Sequence, residues 1–405
     1  MVRSAISVVG FDARPFGEEA LAALAAARVV VGSERRLDAI RHLLPPVARS
    51  AAMTGDIELA LDELAAAEGP GVILASGDPG FFGIVRRAVA RFGRESVQVI
   101  PAVSSVSAAF ARAAVSWDDA IVVSAHGRDP RQAVNVALRH PKVAVLTMPG
   151  FGPAELAQAL AGLPRRLVVA ELLGGPGERV TSGAPEEIAA RDDWADPNVV
   201  LVLDESQTSE RGWAWPQRTS AESWGLADSA FDHRDGMITK SEVRSVILAR
   251  LGPGPGDLIW DVGAGSGSVA VEAARLGAAA TAVDADADQC ARIAANASRH
   301  QVPVEVVHGK APDALAGLRD PDAIFVGGGG HLLTEILRVC AERARRAVVV
   351  ALAAIERVPV AQRALEEAGY SADAAMIQVS RVAPLGDGHR LAAGNPVFVV
   401  EGRRP

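Results

Sequence analysis

Aromatic side chains and cysteines are scarce in this chain of 405 residues. Phe, Trp and Tyr together make up 4% of the sequence, and Tyr370 is the one tyrosine. The two cysteines, Cys290 and Cys340, lack the spacing of a metal site, so we predict no metal and expect free thiols within the fold. So little cysteine in a chain of this length is typical of the cytoplasm, which is the predicted location.

An excess of basic charge and long apolar runs are also missing. The formal net charge of −8 at pH 7 argues against a nucleic-acid partner. No apolar run approaches the roughly eighteen residues that a membrane-spanning helix needs. Residues 5–9 are strand-like and too short for a signal peptide. These absences predict that neither nucleic acid nor a membrane is a partner.

Strand-like and helix-like segments alternate along the chain, and the abundant alanine and glycine favour helices packed closely on sheets. The pattern predicts an α/β protein whose N-terminal half has two lobes that split near residue 115. A polar, aperiodic segment with Trp213, Trp215 and Trp224 follows. Seven further strands come after it, the last two forming an antiparallel edge. We predict domains at 1–206 and 235–405, joined by a linker at 207–234.

A glycine-rich turn is the sharpest local pattern. Residues 261–268 lie between a strand-like and a helix-like segment. Glycines in such a turn let a ligand approach the backbone, whose free N–H groups point at it. Asp284 ends the next predicted strand, where a carboxylate can accept hydrogen bonds from ribose hydroxyls. We predict a nucleoside site formed by Asp261, Gly263, Ala264, Gly265, Ser266, Gly267 and Asp284.

The identity of the nucleoside is decided by details of the turn. A dinucleotide fingerprint expects Gly or Ala where this chain has Ser268, and Gly267 makes the turn more compact than that fingerprint. S-adenosylmethionine has no pyrophosphate, and Asp261 would favour its cationic methionine end. The turn resembles that of the class I methyltransferases. This resemblance implies a seven-stranded Rossmann-like fold and S-adenosylmethionine as the cofactor.

The C-terminal half also resembles the decarboxylating precorrin methylases of cobalamin synthesis. The resemblance rests on residues 235–244, the glycine turn, the glycine-rich run 327–330 and residues 384–389. It implies that Thr239 contributes to the cofactor site. His331 directly follows the glycine-rich run, and we predict that it moves protons, since histidine titrates near neutrality.

The N-terminal half resembles the tetrapyrrole methylases, an unrelated fold that also uses S-adenosylmethionine. Gly77, Asp78 and Pro79 follow one predicted strand, residues 101–105 follow another, and residues 126–128 form a further loop. The resemblance implies a two-lobed fold with the cofactor in the cleft between the lobes. The contacts that it implies are Gly77, Asp78, Phe81, Ser104 and Ser105 in the loops and Met148 and Ala170 beside the adenine.

Together, the two halves in this order resemble a fused methyltransferase of cobalamin (vitamin B12) biosynthesis. The family implies methylation of two meso carbons of a precorrin and decarboxylation of an acetate side chain. The meso carbons are already nucleophilic and the ring can accept electrons, so the chain mainly has to hold substrate and cofactor in line. The substrate carboxylates need basic partners. We predict these at Arg128, Lys240, Arg244, His389 and Arg390.

Two other functions remain open from the sequence. One is a dinucleotide-linked oxidoreductase that acts on a tetrapyrrole, against which Ser268 and the compact turn argue. The other is a tetrapyrrole carrier with one vestigial cofactor site, because the loop at Gly10 has one glycine where the tetrapyrrole methylases usually have more. We also expect a homo-oligomer.

Overall fold

The computed structural model describes residues 6–53, 57–81, 83–205, 224–234 and 238–405. The described parts of the chain form two compact units, one from Met1–His126 with Ala144–Thr208 and the other from Gly127–Val143 with Ser209–Pro405. Helices and strands alternate along the chain, which confirms the predicted α/β class. Among the described helices, none is long and apolar enough to cross a membrane.

The N-terminal sheet has the strand order β3-β2-β4-β1-β5. β1 is parallel to β4 and β5, and β2 is parallel to β3 and β4. Helices cover both faces, α3 and α4 on one and α1 and α2 on the other, which explains the continuous apolar strands. The elements are β1 (Ile6–Phe11), α1 (Glu18–Ala26), β2 (Val29–Gly32), α2 (Glu34–Ile40), β3 (Arg49–Ala52), α3 (Ile57–Ala66), β4 (Gly71–Ser76), α4 (Ile84–Phe92) and β5 (Val97–Ile100).

The second sheet has the order β6-β7-β10-β8-β9, with β8 antiparallel to both of its neighbours. α5 packs on it through Val106 and Phe110, which contact the same core cluster as Val168. The change from the first sheet to the second falls between Ile100 and Ile121. The elements are α5 (Ser105–Ala113), β6 (Ile121–Ser124), α6 (Pro130–Arg139), β7 (Lys142–Leu146), α7 (Pro153–Ala159), β8 (Arg166–Glu171), β9 (Arg179–Gly183), α8 (Pro185–Ala189) and β10 (Asn198–Leu203).

The C-terminal sheet has the order β13-β12-β11-β14-β15-β19-β16. β11 to β15 are parallel, and β19 is antiparallel to β15 and β16. This confirms the predicted seven strands with an antiparallel final pair. The elements are α9 (Ser241–Leu251), β11 (Leu258–Val262), α10 (Ser268–Arg275), β12 (Ala279–Asp284), α11 (Ala287–Arg299), β13 (Glu305–His308), β14 (Ala323–Val326), α12 (Leu333–Arg343), β15 (Ala347–Leu352), α13 (Val358–Glu367), β16 (Ser371–Ile377), β17 (Ser380–Leu385), β18 (Gly388–Ala393) and β19 (Val397–Arg403).

The hairpin β17–β18 was not predicted. Residues 384–389, which join the last two strands of the seven-stranded pattern, show no obvious helix and contain Pro384, Gly386 and Gly388. Proline is tolerated in a strand whose N–H is not needed for pairing, as in a two-stranded ribbon. Val382 pairs with Leu391, and both side chains are about two-thirds exposed, at 69% and 68%.

The segment before α9 is fixed to the C-terminal unit by a buried ion pair. Arg244 is 0% exposed and its guanidinium binds Glu272, which is 1% exposed. Arg244 also donates to the carbonyls of Leu226 and Thr239, while Glu272 accepts from the N–H groups of Gly225 and Leu226. These contacts satisfy both buried charges.

The first turn of α9 is capped by a side chain from the preceding segment. Lys240 is at the cap position without a capping side chain, and Asp228 accepts the N–H of Ser241 at 2.9 Å. Of the predicted linker, residues 207–223 lie outside the described residues, including Trp213 and Trp215. Trp224 is described and is 53% exposed.

Candidate functional site

The turn between β11 and α10 holds three glycines in a left-handed backbone. φ is 72° at Gly263, 55° at Gly265 and 71° at Gly267. Residues with a side chain rarely adopt this conformation. A Cβ on Gly267 would also lie 2.8 Å from the side chain of Ile293. The turn therefore requires glycine for its conformation and, at Gly267, for space.

Asp284, at the end of β12, fixes this turn. Its Oδ2 accepts the N–H of Gly265 at 2.8 Å and its Oδ1 accepts the N–H of Asp286 at 3.0 Å. An ionised carboxylate offers about four lone-pair sites, so each oxygen keeps room for another donor. The half-buried Asp284 can therefore hold the turn and bind a pair of vicinal hydroxyls at the same time.

Asp261, the last-but-one residue of β11, is a buried carboxylate with one oxygen unpaired. It is 1% exposed, and its Oδ2 accepts the N–H of Ala270 at 3.0 Å. Its Oδ1 has no hydrogen-bond partner among the described residues. Burial raises the pKa of Asp261 to about 7, with the charge of Asp284 adding to the rise and the Ala270 N–H opposing it. A cationic group nearby would relieve this cost, which fits the methionine end of S-adenosylmethionine.

The glycine-rich run after β14 touches the first turn. Gly327 donates to the carbonyl of Val262 at 2.9 Å, and a Cβ on Gly327 would lie 2.8 Å from the carbonyl oxygen of Gly263. β11 and β14 are parallel neighbours, so both loops leave the sheet at the same edge. Open α/β sheets bind ligands at this edge, beside the point where the strand order reverses.

A cavity of about 470 Å³ opens beside these loops. Thr239 and Lys240, both predicted from the sequence, line it, and so does Arg357, which the sequence analysis missed. Arg357 Nη1 donates to the carbonyl of Gly330 at 2.7 Å. No motif marks this arginine; its position follows from the fold. The lining residues are Ile238, Thr239, Lys240, Val243, Gly327, Gly328, Ala351, Leu352, Ala353, Ala354, Arg357 and Val397.

Other residues that were predicted to belong to the C-terminal site do not line this cavity. His331 is exposed in the short 3-10 turn Gly330–Leu332, directly after the glycine run. His389 and Arg390 lie exposed on β18 and are not among the residues that line the cavity. The burial of Arg244 and its contacts with Glu272 contradict the prediction that this arginine binds substrate.

Two backbone groups of the glycine turn are already engaged. Ala264 donates its N–H to the carbonyl of Val283 at 3.1 Å. Ser266 is 2% exposed, and its carbonyl accepts from the amide of Asn296 at 2.8 Å. The hydrogen bonds of Ala264 and Ser266 therefore fix the backbone of the turn. Gly265 lies at its open side, where an added Cβ would have no atom within 4 Å.

In the N-terminal unit, three loops meet where β1, β4 and β5 end. A Cβ on Gly10 would lie 2.5 Å from the carbonyl oxygen of Gly77 and 2.6 Å from the backbone nitrogen of Ala102. Gly77 has φ of 57° and donates to the carbonyl of Phe11 at 2.8 Å. The single glycine of the first loop therefore permits the close approach of the other two.

The predicted contacts of this half are partly brought together. A Cβ on Gly77 would lie 3.3 Å from Cα of Ser104, so these two loops are neighbours. Asp78 accepts the N–H of Gly80 at 2.8 Å, and Ser104 caps α5 by accepting the N–H of Ser107 at 3.1 Å. The half-buried Ser105 begins α5.

The remaining predicted contacts differ in accessibility. Phe81 packs against the core cluster of the second sheet, to which Ala170 belongs. Ala170 is 0% exposed within β8, so its side chain cannot line the adenine as predicted. Met148 is half-buried after β7 and bridges to Phe151. Arg128 is exposed between β6 and α6.

Comparison with known proteins gives matches for both halves. Residues 229–402 match the family described as precorrin methyltransferase domain, and residues 17–189 match the tetrapyrrole (corrin/porphyrin) methylases. The precorrin-6Y C(5,15)-methyltransferase (decarboxylating) of Sinorhizobium sp is 40% identical over 323 residues, which are 78% of this chain and 75% of that protein.

Shorter relatives carry names for single reactions. A probable cobalt-precorrin-6B C(15)-methyltransferase (decarboxylating) of Pyrobaculum calidifontis is 37% identical over 46% of this chain and 97% of its own length. The cobalt-precorrin-7 C(5)-methyltransferase of Salmonella typhimurium is 38% identical over 37% of this chain and 74% of its own length. With the Sinorhizobium relative matched over most of both chains, this protein belongs to the family of the precorrin-6Y C(5,15)-methyltransferases (decarboxylating).

Proposed function

We propose that the chain methylates C-5 and C-15 of precorrin-6Y and removes carbon dioxide from an acetate side chain, giving precorrin-8X in cobalamin biosynthesis. The observation that carries this proposal is the presence of two separate loop clusters at strand ends, on two unlike folds, in a member of this family. One cluster surrounds Gly10 and Gly77; the other surrounds Gly265 and Gly327.

We propose S-adenosylmethionine as the cofactor of both clusters. Bound there, it supplies an electrophilic methyl group on a sulfonium. In the C-terminal half, Asp284 would bind the ribose diol, Asp261 would favour the cationic end, and Thr239 borders the same region. In the N-terminal half, the half-buried residues Asp78, Ser104 and Ser105 would hold it.

The chain's own residues then position, rather than attack, the substrate. A meso carbon of the precorrin is already nucleophilic, so alignment with the methyl group supplies much of the rate enhancement. In the decarboxylation, the electron pair of the broken carbon–carbon bond passes into the conjugated ring, and the remaining carbon takes up a proton. We propose His331, beside the glycine run, as a group that moves this proton.

We further propose that the N-terminal half methylates C-5 and the C-terminal half methylates C-15 and decarboxylates. Relatives named for one reaction each support this division, because one is a C(15)-methyltransferase (decarboxylating) and another a C(5)-methyltransferase. The precorrin methyltransferase domain spans residues 229–402, in the half to which we assign decarboxylation.

Mass spectrometry of the product tests the function. The protein is incubated with precorrin-6Y and S-adenosylmethionine, and we expect two methyl groups gained and one carbon dioxide lost. A dinucleotide-linked oxidoreductase would instead change the hydrogen content and require a nicotinamide cofactor. A carrier would bind the tetrapyrrole and leave its mass unchanged. Either result would overturn the proposal.

The domain organisation is proposed as residues 1–206 and 235–405 joined by residues 207–234. The buried pair of Arg244 and Glu272 refines where an independent C-terminal fragment should begin, because Glu272 accepts two N–H groups from residues 225 and 226. A fragment of residues 224–405 should unfold cooperatively in urea. A fragment of residues 238–405, which leaves Glu272 without these donors, should be less stable or insoluble. Equal stability of the two would contradict this role of the segment.

We propose a homo-oligomer in the cytoplasm. The exposed apolar side chains of the β17–β18 hairpin, Val382, Leu385 and Leu391, are 69%, 59% and 68% exposed and favour burial against another copy. The cytoplasmic location is supported by two free thiols at Cys290 and Cys340. Sedimentation of the protein and of its Val382→Glu variant tests the assembly, since the added charge should shift it toward monomer. A monomeric parent protein would refute it.

A further inference from the structure

The cavity beside the glycine run carries charge of one sign. Among its described lining residues, the charged side chains are Lys240 and Arg357, and both are cationic. Apolar side chains, including Ile238, Leu352 and Val397, make up most of the remaining wall. A volume of about 470 Å³ is sufficient for part of a large ligand. Such a lining suits a ligand with an apolar body and anionic arms.

Lys240 and Arg357 differ in what they can offer to such a ligand. The ammonium of Lys240 lies 3.4 Å from the carboxylate of Asp228, which draws it toward the segment before α9. Arg357 donates from Nη1 to the carbonyl of Gly330 at 2.7 Å. A guanidinium has five N–H donors in a planar fork, so this bond leaves donors that can bind a carboxylate in bidentate fashion.

We propose that Arg357 binds a carboxylate arm that the tetrapyrrole retains in the product, while its bond to Gly330 steadies the glycine run beside the cofactor turn. This inference rests on the proposed function. Arg357 would thus be a specificity-determining residue that binds the substrate. Through Gly330 it would also connect the substrate to the glycine run 327–330, in which Gly327 approaches Gly263.

The choice of a retained arm follows from the charge changes of the reaction. In decarboxylation, the bond between the carboxylate carbon and the methylene carbon breaks, carbon dioxide leaves, and the electron pair passes into the macrocycle. The methylene carbon then takes up a proton, which comes from water by way of the proposed His331, and becomes a methyl group. The carboxylate loses its charge in this step, so a guanidinium paired with it would stabilise the ground state more than the transition state. Arg357 is therefore suited to an arm that keeps its charge.

Two substitutions separate the effect of the charge of Arg357 from the effect of its hydrogen bond to Gly330. Arg357→Gln keeps an N–H donor for the carbonyl but removes the charge, and Arg357→Lys keeps the charge but removes the fork. Arg338→Gln is the matched control, because Arg338 is exposed on α12, pairs with Glu342 and does not line the cavity. Steady-state kinetics with precorrin-6Y give KM and kcat, mass spectrometry gives the ratio of carbon dioxide lost to methyl gained, and calorimetry gives the Kd of S-adenosylmethionine.

We expect Arg357→Gln to raise the KM of the C-terminal reaction by about tenfold to a hundredfold, the size of a lost charge-assisted contact. The kcat, the carbon dioxide to methyl ratio and the Kd of S-adenosylmethionine should stay close to those of the parent, and Arg357→Lys should recover part of the KM. An unchanged KM overturns the inference. A changed carbon dioxide to methyl ratio also overturns it, because Arg357 would then contact the arm that is lost.

A binding measurement keeps this test independent of turnover. Uroporphyrin III, a stable tetrapyrrole with acetate and propionate arms, serves as the probe and its fluorescence reports binding to the full chain. Arg357→Gln should weaken this binding and reduce its dependence on salt, since one ionic contact is lost. If the parent protein binds the probe in this way but forms no methylated product, the proposed function fails while the carboxylate site stands. Equal binding of the probe by the parent and by Arg357→Gln would contradict the proposed carboxylate site.

Discussion

The two loop clusters of this protein depend on glycine to different extents for backbone conformation and for space. In the C-terminal turn, Gly263, Gly265 and Gly267 all have positive φ, and Asp284 holds the backbone N–H of Gly265. In the N-terminal unit, Gly10 is needed for space, because a Cβ there would collide with the backbones of Gly77 and Ala102. Backbone conformation and carboxylates dominate in the C-terminal turn. In the N-terminal cluster Gly77 also has positive φ, but the close packing of three loops depends on the space at Gly10.

This difference predicts how each cluster responds to substitution. A turn held by carboxylates should be sensitive to charge and pH, because the hydrogen bonds that fix it depend on ionised groups. A cluster held by packing should be sensitive to added volume and respond little to pH. Substitutions in each cluster can therefore show whether the comparison describes function as well as structure.

The largest effect is expected for Gly265→Arg. The side chain would force a positive-φ position to carry a Cβ and would occupy the open side of the turn. Under the proposed division of the reactions, methylation by the C-terminal half and decarboxylation should both fall by at least about a hundredfold, because the turn is strained and the proposed cofactor site is blocked. Product mass measures both. Gly317→Arg is the control, since Gly317 is exposed and an added Cβ would meet nothing within 4 Å.

A smaller change in product is expected for Asp78→Arg, which places a bulky cation in the N-terminal cluster. The product should lack one methyl group and still lose carbon dioxide, because the C-terminal cluster has its own turn. Glu95→Arg, an exposed charge reversal before β5, should leave the product unchanged. A folded Asp78→Arg protein that no longer decarboxylates would contradict the division of labour between the halves.

The C-terminal fold and turn were predictable because their signals are local. A strand, a glycine turn, a helix and the acid Asp284 follow one another within about twenty-five residues. Arg244 was misjudged because its partner, Glu272, lies on another helix, and a sequence does not show that a charged side chain will be buried with its counterion. Arg357 was missed for the related reason that only the fold brings it to Gly330. In the N-terminal half, the role of Gly10 depends on two loops that are distant along the chain.

The third effect in order of size is expected for a substitution of Asp284. Asp284→Ala removes the acceptor of the Gly265 N–H and the proposed ribose contact, and it should weaken S-adenosylmethionine binding at the C-terminal site by about tenfold to a hundredfold. Calorimetry with the Asp78→Arg background isolates this site. Asp288→Ala is the control, because Asp288 is exposed in the first turn of α11. Undiminished affinity in Asp284→Ala would refute the ribose assignment.

The smallest effect concerns the pH dependence of stability at Asp261. Its pKa is raised to about 7 by burial, whereas an aspartate in an unfolded chain titrates near 4. Between these values the folded protein keeps a proton that the unfolded chain releases, so this residue makes the ligand-free protein less stable as pH rises, by at most about 1.4 kcal/mol per pH unit. Asp261→Asn, which resembles the neutral acid, should remove that slope.

Urea unfolding between pH 4 and 8 measures the pH dependence of the free energy of unfolding. It is applied to the parent, to Asp261→Asn and to the control Asp373→Asn, whose side chain is 79% exposed. Parallel curves for the parent and Asp261→Asn would contradict the raised pKa of Asp261, and the charge that Asp261 offers to a cationic ligand would then carry no cost in the ligand-free fold.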